Sequence, residues 1–371
     1  MGGGMKPREV TIKDVARRAG VSAATVSNVL GGEKAVRPAS REQVLKAVAE
    51  LNYRINPAAS YLRSGRSRIV GAVVPSLENP FYPTVIAAIE RQCQADGYEL
   101  IIASSAEQPE LETARVEALL QWKPAGFIVI PCSSDFPARR MIEAAGIPLV
   151  FADRSPDGPP GDFIEIDNVA AGAAAARHLT QLGHRKFALC APSLRVRNIQ
   201  ERIFGARQVI AAAGGELTEV ETGFGDVLDM LPERAEAQIS AVTAIVALMN
   251  TTTLQILAAL HRIGRSVPGD VSLVGFDDYP WMPVANPPIT AIRQPVSALG
   301  RSAWARLRDR ISGADDGPHH RKHEVELILR ESTAPVRTKG RGEPAADFGH
   351  HEIALETPLL GAPRSYGSPS D

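Results

Sequence analysis

A chain of 371 residues is too long for one compact core and fits two or three domains. Its 44% hydrophobic and 22% charged residues exclude a disordered chain, and no apolar run reaches the roughly 18 residues of a membrane-spanning helix. The net charge of −1 hides an asymmetry: residues 1–66 hold twelve Lys or Arg against five Asp or Glu, so a basic head at +7 precedes an acidic body at −8.

A basic head suits a surface that neutralises nucleic-acid phosphates. The opening MGGGMKPREV lacks the apolar core of a secretory signal, which points to the cytoplasm. Cys93, Cys132 and Cys190 lie far apart inside apolar segments. They are expected to be buried thiols, neither a disulfide framework nor metal ligands.

VTIKDVARRAGVSAATVSNVL reads as two short helices joined by a tight turn. Thr11 with Asp14 forms a capping box for the first, and Gly20 supplies the left-handed residue that ends it. Ser22 caps the second helix. Val26, Val29 and Leu30 turn inward, which leaves Ala23, Ala24, Thr25, Ser27 and Asn28 outward. A third helix is predicted from a capping box at Ser40 and Gln43, with Val44, Ala47, Val48 and Leu51 at helical spacing. Glycine turn, caps and third helix together describe an all-α helix-turn-helix head with the second helix as reader. In LNYRINPAASYLRSGRS, Asn56 and Pro57 open a short helix that Gly65 stops. It carries Ala58, Ala59 and Leu62 among arginines and is too short to be stable without a partner.

The run from Val10 to Ser67, and VARRAGVSAATVSNVL above all, resembles the head and hinge of the LacI/GalR family of bacterial repressors. The resemblance implies a homodimer, or a higher oligomer, on a pseudo-palindromic operator. Each subunit would place one reading helix in the major groove, and the paired hinge helices would enter the minor groove. It assigns phosphate contacts to Ser22, Thr25, Ser27 and Tyr53, base reading to Ala23, Ala24 and Asn28, and the minor-groove wedge to Leu62. Thr11, Asn56 and Ala59 complete the DNA-binding set. Many members carry Arg where this chain has Asn28, and Asn favours adenine where Arg favours guanine.

From Arg68 the texture changes. IVGAVVP, ELIIAS, GFIVIP and PLVFAD read as buried parallel strands between helices, and KFALCA, AIVALM and VSLVGF form a second such series. Two series predict an α/β body of two doubly wound lobes with a cleft between them. The family resemblance continues to about Arg337 and implies a periplasmic-binding-protein-like fold. Its chain is expected to cross between lobes near Asp167, Ile292 and Leu329. The expected organisation is a head at 1–55, a hinge at 56–67 and a body at 68–337. Lobe one would take 68–167 and 293–328, lobe two 168–292 and 329–337, with a flexible tail at 338–371.

Ligands of such sheets sit on loops at the carboxyl ends of strands. SLENPFYPTV offers Asn79, Phe81 and Tyr82, an amide beside rings suited to stacking. FADRSP offers Asp153, and in RNIQERIFGA Arg202 and Gly205 match the family's R-x-x-G, whose arginine clamps hydroxyls or a carboxylate. VGFDDYPW offers Asp277, matching a family ligand-binding aspartate, and Trp281. AIVALMNTTT departs from the family: Met249 and Asn250 stand where Asn and Asp are common. Either the ligand is less polar or Asn250 takes over the contact. Trp122 and Trp304 are expected to pack.

No Walker A loop and no G-x-S-x-G elbow is present, so no catalytic residue is assigned. The run HHRKH, His319 to His323, and the pair His350–His351 read as loop histidines without a metal. No cofactor is implied. The sequence therefore points to a DNA-binding transcriptional regulator, a repressor, controlled by a small-molecule effector such as a sugar or sugar derivative. The alternative is a non-catalytic sugar receptor with the same body, against which the head argues. An enzyme built on the same lobes comes third, because no nucleophile, base or metal constellation can be named.

Overall fold

The computed structural model describes residues 10–31, 36–53, 67–225 and 229–336, all within one compact unit, Met1–Val336. Three helices form the head: α1 (Ile12–Ala19), α2 (Ala23–Gly31) and α3 (Pro38–Glu50). Before α1 the Thr11 backbone N–H and hydroxyl both donate to the Asp14 carboxylate, at 3.0 and 2.6 Å. Gly20 ends α1 at φ 66°, left-handed backbone that glycine adopts without a Cβ clash. Ser22 Oγ accepts the Thr25 N–H at 3.1 Å. Val15, Val26 and Val44 are fully buried where the helices meet, around the small Ala16, Ala19 and Ala47. The capping box expected at Ser40 is replaced by an earlier start: Pro38 is the first helical residue, its fixed φ already helical.

The body has two six-stranded sheets. The first takes β1 (Ile69–Val74), β2 (Glu99–Ser104), β3 (Gly126–Val129), β4 (Leu149–Ala152), β5 (Asp162–Ile166) and β11 (His320–His323), ordered β11-β5-β4-β3-β1-β2 and parallel throughout. The second takes β6 (Lys186–Ala191), β7 (Glu216–Glu221), β8 (Ala244–Ala247), β9 (Ser272–Phe276), β10 (Thr290–Arg293) and β12 (Glu326–Ile328), ordered β12-β10-β9-β8-β6-β7. Only β12 runs antiparallel to its neighbour. Helices α4 (Phe81–Ala95), α5 (Pro109–Leu120), α6 (Arg139–Ala144) and α11 (Val296–Ile311) belong to the first lobe. Helices α7 (Asn168–Gln181), α8 (Arg197–Ala212), α9 (Glu233–Ser240) and α10 (Asn250–Arg262) belong to the second.

The chain changes sheet three times: between β5 and α7, between β10 and α11, and between β11 and β12. The third crossing falls at 324–325, ahead of the position expected near Leu329. Residues 326–328, expected in the first lobe, instead pair with β10 in the second sheet, where Arg293 meets Glu326 at 3.2 Å. Two further expectations are corrected. ELIIAS is an edge strand, partly exposed along its whole length, because only β1 flanks it. The histidine run is no loop: His320–His323 pairs with β5, and its charges suit an exposed edge. Trp304 packs as expected and donates its indole N–H to Asp96 at 2.7 Å, whereas Trp122 is 57% exposed. Helices α7 and α8 touch through glycines. A Cβ built at Gly172 would lie 1.9 Å from the Arg202 carbonyl oxygen, and one at Gly205 1.9 Å from that of Val169.

Glu112 on α5 is buried, accepts the Cys132 N–H at 2.7 Å through Oε1 and has no hydrogen-bond partner at Oε2. Burial pushes its carboxyl up to about 7. A folded value above the unfolded one favours folding most at low pH, and this advantage is lost as pH rises from about 4.5 through 7. The loss amounts to about 3 kcal/mol. Glu112→Gln, which keeps the neutral shape, is expected to flatten this window and unfold later in urea at pH 8. Identical pH slopes for parent and variant would contradict it.

Candidate functional site

Both lobes end strands in the same way at the cleft. Asp153 follows β4 at φ 61° and Asp277 follows β9 at φ 76°. Both hold left-handed backbone, a conformation that aspartate tolerates better than most side chains. Asp277 accepts from the Asn250 backbone N–H at 3.3 Å, from Asn250 Nδ2 at 2.8 Å and from Gln294 Nε2 at 2.5 Å. Asn250 is the first residue of α10, so its side chain starts at the carboxyl end of β8, beside β9. As an amide rather than a carboxylate it can donate to Asp277 and, across the lobes, to Asn79.

Arg202 on α8 is 2% exposed. Its Nε donates to Asn168 Oδ1 at 2.9 Å and its Nη1 to the Leu248 carbonyl at 2.5 Å, and its guanidinium stands 4.1 Å from the Phe276 ring centroid. Burial lowers its affinity for a proton, and the carboxylates of Asp277 and Asp153 offset this only in part. Burial pushes the Asp153 carboxyl up to about 6, against the pull of Arg202 and Arg154. Arg154 in turn donates to the Tyr82 hydroxyl at 2.5 Å and pairs with Glu107 at 3.3 Å. That fixes two cleft residues through one buried cation.

The lobes are joined by polar bridges. Asn198 Nδ2 donates to Asp153 Oδ2 at 3.4 Å, Asn250 Nδ2 to Asn79 Oδ1 at 3.0 Å, and Arg197 pairs with Asp157 at 3.3 Å. Three buried oxygens in this network, Asp153 Oδ1, Asn198 Oδ1 and Gln294 Oε1, have no hydrogen-bond partner. Above it a cavity of about 520 Å³ opens between the lobes. Asn79, Glu107 and Leu77 line it from one side, Met249, Gln255 and Phe224 from the other.

Of the residues singled out from the sequence, Asn79, Asn250 and Asp277 share hydrogen bonds, Tyr82 and Asp153 meet at Arg154, and Arg202 feels the Asp153 and Asp277 carboxylates; of these six only Asn79 lines the cavity. Phe81 is buried in the core, edge to face with Tyr82 at 5.5 Å. Trp281 packs with Met282 and Leu257 in a separate apolar cluster and does not line the cavity. Glu107, Asn168 and Gln294 were not legible, since each lies outside any motif and reaches the site only through the fold. Phe224 follows no strand signal either.

On the head, Thr11, Ser22, Ala23 and Ala24 are exposed, and Thr25, Ser27 and Asn28 are partly exposed along the same helix. Tyr53 packs its ring against the head core while remaining partly exposed. Asn56, Ala59 and Leu62 lie outside the described residues. No group of three or more His, Cys, Asp or Glu able to hold a metal occurs among the described residues. No helix among them is long and apolar enough to cross a membrane.

Known proteins agree with this division. The family described as bacterial regulatory proteins, lacI family, matches residues 11–56, and a periplasmic binding protein-like domain matches 176–333. The HTH-type transcriptional regulator CelR of Thermobifida fusca is 33% identical over 347 residues, covering 88% of this chain and 98% of CelR. A solved CelR–cellobiose complex superposes with TM-score 0.65 at 29% identity, covering 87% of this chain and all of that one. The lac repressor dimer bound to operator and the anti-inducer ONPF superposes with TM-score 0.76 at 27% identity, covering 88% and 100%.

Proposed function

Because the chain belongs to the lacI family of bacterial regulatory proteins, we propose that it is a cytoplasmic, dimeric repressor. Its grip on a pseudo-palindromic operator is set by a sugar held between the two lobes. The head supplies the DNA half: the exposed Ser22, Ala23 and Ala24 and the partly exposed Thr25, Ser27 and Asn28 belong to a capped helix whose other face is fixed by Val26, and Thr11 and Tyr53 are accessible on the same head. The effector half rests on one observation. Three buried acceptor oxygens, on Asp153, Asn198 and Gln294, converge on the interlobe network without donors, and a ligand rich in hydroxyls is the chemistry that supplies them. CelR, so similar in length and sequence, is known in complex with cellobiose, which makes sugars the first class to test.

We read the protein as acting by binding, since among the described residues the cleft carboxylates are engaged with amides and arginines. Ligand hydroxyls would replace the Asn198 and Asn250 bridges, so the lobes would re-seat and carry the heads with them. Coupling of this kind is reciprocal: a sugar that weakens operator binding is itself bound more weakly by the operator complex.

Selection of bound fragments from a bacterial genome, followed by titration at fixed salt, tests the reading. A pseudo-palindromic site with a flexible pyrimidine–purine centre, bound roughly a thousandfold or more above random DNA, is expected. Its affinity should change with one of cellobiose, maltose or ribose. Sequence-indifferent binding with and without every sugar would overturn it.

A further inference from the structure

A second groove lies away from the cleft, between β11 and α11. Side chains on a strand alternate sides, and β11 divides its charges accordingly. His320 and Lys322 turn to Glu165, at 2.7 and 3.6 Å. His319, Arg321 and His323 form the other row, and with Arg301, Ser302 and Asp309 of α11 they line a groove of about 560 Å³. Ile164, Ala298 and Ala305 give it a small apolar floor.

The charges in this groove do not balance. The buried Arg306 uses both nearby carboxylates: it meets Asp162 at 2.9 Å and Asp316 at 2.8 Å. Asp162 is held again by Arg310 at 2.7 Å. Asp309 stands nearest to Arg308, at 3.8 Å. Arg301 and Arg321 remain, both exposed, and neither guanidinium has a hydrogen bond or ion pair among the described residues. Their field is felt by His323, whose imidazole is bonded to Ser302 Oγ at 3.1 Å. Burial, then Arg321, then Arg301 hold it below its usual affinity for a proton. Two guanidiniums, one on a helix and one on a strand, line the same groove, and an anion between them relieves their mutual repulsion.

We propose that this groove binds a compact phosphoryl group, cradled by Arg301, Arg321, His319 and His323. Guanidiniums offer paired N–H donors that match a tetrahedral oxyanion. The apolar floor leaves room for a small organic group attached to it. The position gives the anion leverage on the fold, because α11 follows the second lobe crossing and β11 precedes the third. Binding ties together two of the segments on which lobe closure turns, independently of the sugar cleft.

The test is titration of inorganic phosphate into the full-length protein without DNA, by calorimetry at constant ionic strength. Saturable binding is expected in the parent. Arg301→Ser/Arg321→Ser should weaken it about tenfold or more, the loss of two charge-assisted contacts. Asp309→Asn, which removes the one loosely held carboxylate, should strengthen it; this opposite sign keeps the proposal testable if the double variant folds poorly. A parallel titration with glycerol phosphate separates the sources. Binding as tight as phosphate or tighter assigns the site to a phosphorylated metabolite, and exclusion of the ester assigns it to free phosphate. No saturable binding up to about 10 mM, or affinity unchanged in both variants, would overturn the site.

Discussion

Replacing Gly205 with alanine is expected to destabilise the body by about 3 kcal/mol or more, at the upper end of what overpacking a core costs. The new methyl would sit 1.9 Å from the Val169 carbonyl oxygen, and Gly172→Ala would meet the Arg202 carbonyl at the same distance. Neither obstacle is a side chain that can rotate away, so α7 and α8 would have to separate along their length. Asn168 on α7 and Asn198 and Arg202 on α8 would move with them, and ligand binding should fall together with stability. Urea unfolding of the variant is the measurement. A change below about 1 kcal/mol would mean that the helices are less closely seated than the geometry requires.

Arg202→Ala should be nearly as severe and should differ in its pH dependence. It removes the cation shared by Asp153 and Asp277 and leaves the Asn168 and Leu248 oxygens without their donor. Leaving two buried acceptors without a donor costs about 1–3 kcal/mol for each. Without the guanidinium, the Asp153 carboxyl rises further above the value of about 6 that it already has. A folded value raised above the unfolded one gives stability that is present at low pH and lost as pH rises through the folded value. The deficit should therefore be smaller at pH 5 than at pH 8. Arg202→Lys keeps a charge without the planar fork, and should recover most of the stability while failing to bind the sugar that the parent binds. Equal deficits at both pH values would remove Asp153 as the partner. Normal sugar binding by the lysine variant would remove the clamp.

The two predictions share one motif and separate its parts. In the sequence, Arg202 and Gly205 were legible together as a pattern with a ligand role. In the fold they face different ways, the arginine into the interlobe network and the glycine into the seam with α7. Position 250 shows the same division. Its departure from the family pattern was plain from the residues. What the amide does there, donating to the Asp277 carboxylate 2.8 Å away, belongs to the packing of α10 beside β9.

Local signals were read well wherever the chain's own periodicity carries them. Thr11, Gly20 and Ser22 punctuate the head because caps and left-handed turns are decisions of three or four neighbouring residues. The apolar runs of β1, β3, β4, β6, β8 and β9 were legible because a strand buried on both faces has to be apolar throughout. By itself, then, the sequence determined the helix-turn-helix head, the two α/β lobes and most of the polar loops that end their strands. The tertiary structure alone decided three other things: β11 as an edge strand made of histidines and charge, β12 in the second sheet, and a site completed by Glu107, Asn168 and Gln294. An edge strand is specified by its partner's free backbone groups, and a cross-lobe hydrogen bond by residues up to 171 positions apart. Neither leaves a period or a spacing in the chain for a reader to find.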